Sequence, residues 1–108
     1  MSYDIYIGKE SFNYTYNLSK FFYDHIEGGI PALDGITGKR AIVVLATAFE
    51  AIDRTRSGFR SGDALDNAAF SKEYDAPNGW GSAIGAIIFL GCLMAACAQN
   101  PRKKVVVS

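Results

Sequence analysis

Residues 80–98 read Trp-Gly-Ser-Ala-Ile-Gly-Ala-Ile-Ile-Phe-Leu-Gly-Cys-Leu-Met-Ala-Ala-Cys-Ala, nineteen positions without a charge. A helix this apolar cannot face water all round, so the fold must hide much of it. Lipid is one way to do so. The run passes the roughly 18 residues that mark a candidate membrane span. Gly81 and Gly85 stand at the spacing that lets membrane helices approach, and Arg102, Lys103 and Lys104 follow as a cytoplasmic flank would. The chain's own helices are the other way, and four features favour them. Gly and Ala dilute the hydropathy of the run. A second apolar helix, 38–54, needs a broad partner. Asn100-Pro101 ends the helix sharply. Finally, Val at 105, 106 and 107 reads as a strand whose available partner is 3–7. On this reading no membrane partner is expected.

The remaining elements follow from periodicity. Residues 3–7 alternate, with Tyr3, Ile5 and Ile7 on one face and Asp4 and Tyr6 on the other, and Gly8 stops the strand. Residues 9–16 read as a polar, aromatic loop. Asn17 is placed to cap a helix whose stripe is Leu18, Phe21, Phe22, His25 and Ile26, ended by Gly28-Gly29. Thr37 caps the 38–54 helix, with Ile42, Leu45, Ala46, Phe49 and Ile52 inward and Ala41, Val43 and Val44 widening the stripe. Across 54–79 the weakest element is a short helix started by Asp63 and Asp66 at cap and N3, before Ala68-Ala69-Phe70. Pro77-Asn78-Gly79 then turns the chain into Trp80. The expected fold is α+β: one small domain over 1–108, with three to four helices and a two-stranded sheet of the N- and C-terminal strands, ordered β-α-α-α-α-β. Two strands need helices behind them, and their free edges invite a second copy, so a homo-oligomer is expected.

Composition narrows the function. In 108 residues, 11 basic side chains balance 11 acidic ones, which removes the general attraction to nucleic acid that a cationic chain would have. With one His and two Cys the chain has little for a metal site, and no cofactor is expected. Cys92 and Cys97 point about 140° apart on a helix and cannot pair. No basic, apolar leader precedes residue 8, so a cytoplasmic location is expected. No nucleophile elbow, phosphate loop, dinucleotide fingerprint or metal-spaced cluster occurs. His25 lies within an apolar stripe, and Glu50 and Asp53 stand beside Arg54 and Arg56. The chain does not read as an enzyme.

Binding has better material. Eight of the fourteen aromatic residues precede residue 26. Asn13, Tyr14, Thr15, Tyr16 and Asn17 alternate rings with amides and a hydroxyl, suited to stacking on a planar ligand and reading its edge. Tyr74, Asn78, Gly79 and Trp80 form a turn into a helix N-terminus, where free N–H groups favour an anion, and Arg56 and Arg60 can add charge. The expected ligand site combines the two segments. The same residues also admit a plainer role: asparagines that cap and turn, a Trp80 that plugs the core, and arginines at a solvated rim.

Four stretches carry a resemblance: Tyr3-Asp4-Ile5-Tyr6-Ile7-Gly8, Asn13-Tyr14-Thr15-x-Asn17, Gly35-Ile36-Thr37-Gly38-Lys39 and Pro77-Asn78-Gly79-Trp80-Gly81. Together they resemble a set of small accessory proteins encoded by bacteriophages and their hosts. Those proteins have a more charged helix where this chain has 83–98. The resemblance implies a protein that acts by binding, either trapping a small nucleotide signal or blocking a host protein partner.

Overall fold

In the computed structural model, which describes residues 2–62 and 64–108, the first strand β1 (Ser2–Ile7) lies at the centre of a sheet and not at its edge. It pairs antiparallel with β2 (Glu10–Thr15) on one side and with β5 (Val106–Val107) on the other. The α+β class and the pairing of the terminal strands match the sequence reading, but the sheet has three strands. The extra strand is the segment 10–15 expected as loop. Gly8 adopts φ 57°, which a two-residue hairpin loop demands of its first position, so Ile7 pairs directly with Glu10. The free edges are therefore on β2 and β5, and β5's Val107 N–H donates to the Asp34 carboxylate at 2.9 Å.

Alternation on β1 buries Tyr3, Ile5 and Ile7 as expected, and Phe12 and Tyr14 of β2 pack against the same core. A short 3-10 turn (Tyr16–Leu18) leads into α1 (Ser19–His25), which buries Phe21, Phe22 and His25. Asn17 does not cap α1, whose N-cap Leu18 makes no side-chain cap bond; Thr15 caps the 3-10 turn, its hydroxyl accepting from the Asn17 N–H. After a second 3-10 turn (Ile30–Leu33), α2 (Gly38–Ser57) starts at Thr37, whose side chain accepts from the Arg40 N–H.

The buried face of α2 is Gly38, Ala41, Leu45, Ala48 and Ile52, rotated from the expected stripe. Ile42, Ala46 and Phe49 sit at its flank and Val43 is 65% exposed. Small residues on that face let the next long helix approach closely. Strands β3 (Arg60–Ser61) and β4 (Ala64–Leu65) form a small hairpin, followed by α3 (Asn67–Tyr74). The helix starts later than the sequence suggested, with Asp66 as its cap accepting from Ala69 N–H at 2.9 Å; the expected cap Asp63 lies outside the described residues.

The uncharged run forms α4 (Ala83–Gln99), which begins after Trp80 and is capped by Ser82. One side buries Ala83, Ala86, Phe89, Leu90, Leu93, Ala96 and Cys97. The opposite side leaves Ile84, Ile88, Cys92 and Ala95 in solvent. No described helix is long and apolar enough to cross a membrane. Helices α2 and α4 run antiparallel, since Gly38 meets Cys97 and Asn100 while Phe49 meets Gly91. Past α4, Val105 is buried and exchanges backbone bonds with Gly35 and Ile36, drawing the C-terminal segment along the start of α2.

At Gly38 a methyl group would run into the backbone carbonyls of Asn100 and Cys97. At Gly91 the nearest atom is Phe49 Cζ at 4.0 Å. Urea melts should therefore show Gly38→Ala losing about 1–3 kcal/mol through overpacking. Gly91→Ala should gain roughly 0.5–1 kcal/mol from helix propensity. Equal effects would show that the α2–α4 approach is wrongly placed.

Candidate functional site

The fold does bring the two expected segments together. The Asn17 side-chain amide donates to the Trp80 carbonyl at 3.0 Å, and the Tyr14 hydroxyl donates to the Ser82 carbonyl at 2.9 Å. Between these bonds Gly81, with φ 117°, presses its backbone onto Leu18 and Thr15. The meeting is contact, with the Asn17 amide and the Tyr14 hydroxyl spent on backbone carbonyls of the facing segment. Tyr14 is also enclosed, stacking on Phe89 with centroids 5.1 Å apart and meeting Phe22 edge-on.

The helix N-terminus is occupied in the same way. Asp75 accepts from the Ala83 N–H at 2.8 Å, and the Ser82 hydroxyl accepts from Gly85 N–H. A carboxylate from the chain itself thus sits where a bound phosphate or carboxylate was expected, satisfying the N–H groups and the positive end of the dipole. Asn78 turns its side-chain oxygen to the Trp80 N–H, and Gly79 holds the turn at φ 79°. Asn13 bonds Ser2 and Asp4 across the outer face of the hairpin.

The other candidates are held elsewhere. Arg56 donates to the Asn67 side chain at 2.9 Å and lies over the Phe70 ring, its Nε buried without a partner. Arg60 donates to the Ser57 carbonyl. Tyr74 donates to Asp24 at 3.0 Å, and Lys20 bridges Asp24 and Glu73 over the Tyr74 ring. Burial, then the neighbouring Asp24 carboxylate, pushes the Tyr74 phenol up to about 12. Burial pushes the Asp24 carboxyl up, but its bonds from Lys20 and Tyr74 and the Lys20 charge outweigh that and hold it low. This cluster fastens α3 to α1.

Two rings of the expected site remain open. Trp80 is 73% exposed, not a core plug, and Tyr16, edge-on to Tyr3 at 4.5 Å, is 37% exposed. Together with the solvent-facing side of α4 they are the apolar surface that the fold leaves uncovered at this end. The pattern was present in the sequence: a helical wheel of 83–99 that buries Ala83, Ala86, Leu90, Leu93 and Cys97 must turn Ile84, Ile88, Cys92 and Ala95 outward.

Among the described residues, no three His, Cys, Asp or Glu side chains come together to hold a metal. No known protein family, curated protein or solved structure matches the chain.

His25 is buried and titratable. Its Nδ1–H donates to the Phe21 carbonyl at 2.7 Å, and Nε2 pairs with the Thr55 hydroxyl at 2.9 Å. Burial lowers its pKa, against the opposing pull of the Phe21 carbonyl. The unfolded chain therefore binds this proton more readily than the folded one. Stability should fall as pH drops from the ordinary histidine value near 6.5 toward the lowered folded value. Urea midpoints across about pH 7 to 5 should show that slope in the wild type and a flatter one in His25→Gln. A slope unchanged by the substitution would mean that His25 is not the titrating group.

Proposed function

We propose that the chain is a non-catalytic binding protein that lays an exposed apolar face against a larger surface. One observation carries this reading: α4 has no charged residue, yet it presents Ile84, Ile88, Cys92 and Ala95 to solvent. Outward faces of helices normally carry polar side chains, and apolar ones mark contact surfaces. Closure of the 12–17 and 74–81 segments on each other supports the same choice, because small ligands are held in concave sites with unspent polar groups. Of the two modes that the resemblance implies, trapping a small nucleotide signal or blocking a host protein partner, this reading is nearer the second.

A second reading keeps the small planar ligand and stacks it on the open rings of Trp80 and Tyr16, beside Asn78. The exposure of Trp80 favours it. Since Trp80 is the only tryptophan, its emission separates the two. Surface binding predicts no saturable quenching when adenine nucleotides are titrated into the protein. Saturable quenching that disappears in Tyr16→Ala and Asn78→Ala would replace the surface reading with the small-ligand one.

A further inference from the structure

The partner surface can be named from its charge. This inference rests on the surface-docking reading above. Six of the 11 basic residues, Lys9, Lys39, Arg40, Arg102, Lys103 and Lys104, are exposed at the end of the molecule where α2 starts and α4 stops. Backbone bonds collect them there. Gly38 N–H donates to the Lys103 carbonyl at 2.8 Å, Lys39 N–H donates to the Pro101 carbonyl at 3.0 Å, and Thr37 bridges Lys104. Lys9 and Lys103 line one shallow cavity of about 460 Å³ with Glu10, Gln99 and Asn100. Lys39 and Arg40 line another of about 470 Å³ with Thr37, Val43 and Val44. Lys20 pairs with Asp24 and Glu73, whereas among the described residues none of the six cations has a carboxylate within 4.0 Å.

The apolar face lies on the helix whose C-terminus meets this cationic end. Ile88, 62% exposed, stands on the outward side of α4, and Arg102, Lys103 and Lys104 follow that helix in the chain. Val43 on α2 is exposed beside Lys39 and Arg40. At the far end of α4 stands the exposed Trp80 indole, a group that favours the boundary between lipid and water. A helix of 17 residues is about 25 Å long, shorter than a tilted span needs.

From this juxtaposition we infer that the chain docks on the surface of an anionic bilayer, with the outer side of α4 against the acyl boundary and the basic end on the headgroups. A nucleic acid would neutralise the cations and leave Ile84 and Ile88 wet. A second copy paired through α4 would cover the isoleucines and leave the cations unneutralised. An anionic bilayer answers both, and each added cation strengthens such binding roughly fivefold. Surface docking differs from the span weighed in the sequence, since the buried side of α4 stays in the protein core.

Co-sedimentation of the full chain with phosphatidylcholine vesicles, with and without phosphatidylglycerol, tests this. Binding should require phosphatidylglycerol, weaken with salt and shift Trp80 emission to the blue. Affinity should fall about tenfold or more in Lys103→Glu/Lys104→Glu and clearly in Ile88→Asn, with circular dichroism unchanged in both. Failure to pellet with anionic vesicles overturns the proposal, as does pelleting that ignores either substitution. If sedimentation equilibrium without lipid shows a dimer that Ile88→Asn dissociates, a second copy is the occupant; the surface reading survives and the bilayer does not. Duplex DNA binding that depends on the lysines but not on Ile88, without vesicle binding, overturns both.

Discussion

Where α2 begins and α4 ends, the two backbones touch, and the rest of the molecule is arranged around that contact. Gly38 lies against the carbonyls of Cys97 and Asn100, and Ala41, Leu45, Ala48 and Ile52 continue the buried face along α2. The approach holds α4 by one side only. It also gathers the Pro101–Lys104 segment onto the start of α2 and sends Val105 to Val107 back to β1. The sheet closure, the cationic end and the outward apolar side of α4 are thus consequences of one helix pair.

A second constraint closes the region that looked most like a ligand site. Rings concentrated before residue 26 interlock with Phe70, Tyr74 and Phe89 from distant elements, in edge-on and stacked geometries that aromatic quadrupoles favour. Tyr14 and Asn17 then tie the hairpin end to the backbone at Trp80 and Ser82. Asp75 acts as the internal anion for α4. Tyr14, Asn17 and Asp75 thus stabilise the entry to α4 instead of reading a ligand.

Much of the fold was legible because its signals are local. Alternation in Tyr3, Ile5 and Ile7, the Thr37 cap, the Gly28-Gly29 stop and the Asn100-Pro101 end each depend on a few neighbouring residues. The strand Glu10–Thr15 was missed because Glu10, Ser11 and Asn13 lower its strand propensity and mask the alternation of Phe12 and Tyr14. The candidate site was legible as a meeting of two segments but not as a closed one. Whether Asn17 reaches the Trp80 carbonyl, 63 positions away, or Asp75 turns back to Ala83 depends on the tertiary path. The outward side of α4 was harder to read, because the run carries no charged residue to mark which side faces water. In a chain of 108 residues the core is too small to wrap a helix of 17 completely.

The most direct measurement of this account uses the two thiols as reporters on opposite sides of α4. Cys92 is exposed among the outward residues, while Cys97 is buried, its thiol pushed up by burial. With a maleimide under native conditions, Cys92 should react quickly, and Cys97 should react only at the rate of unfolding. If neither thiol is labelled in the free chain, α4 is covered all round. If both are labelled at one rate, α2 does not hold the inner side. Either result would contradict the one-sided helix on which the docking surface depends.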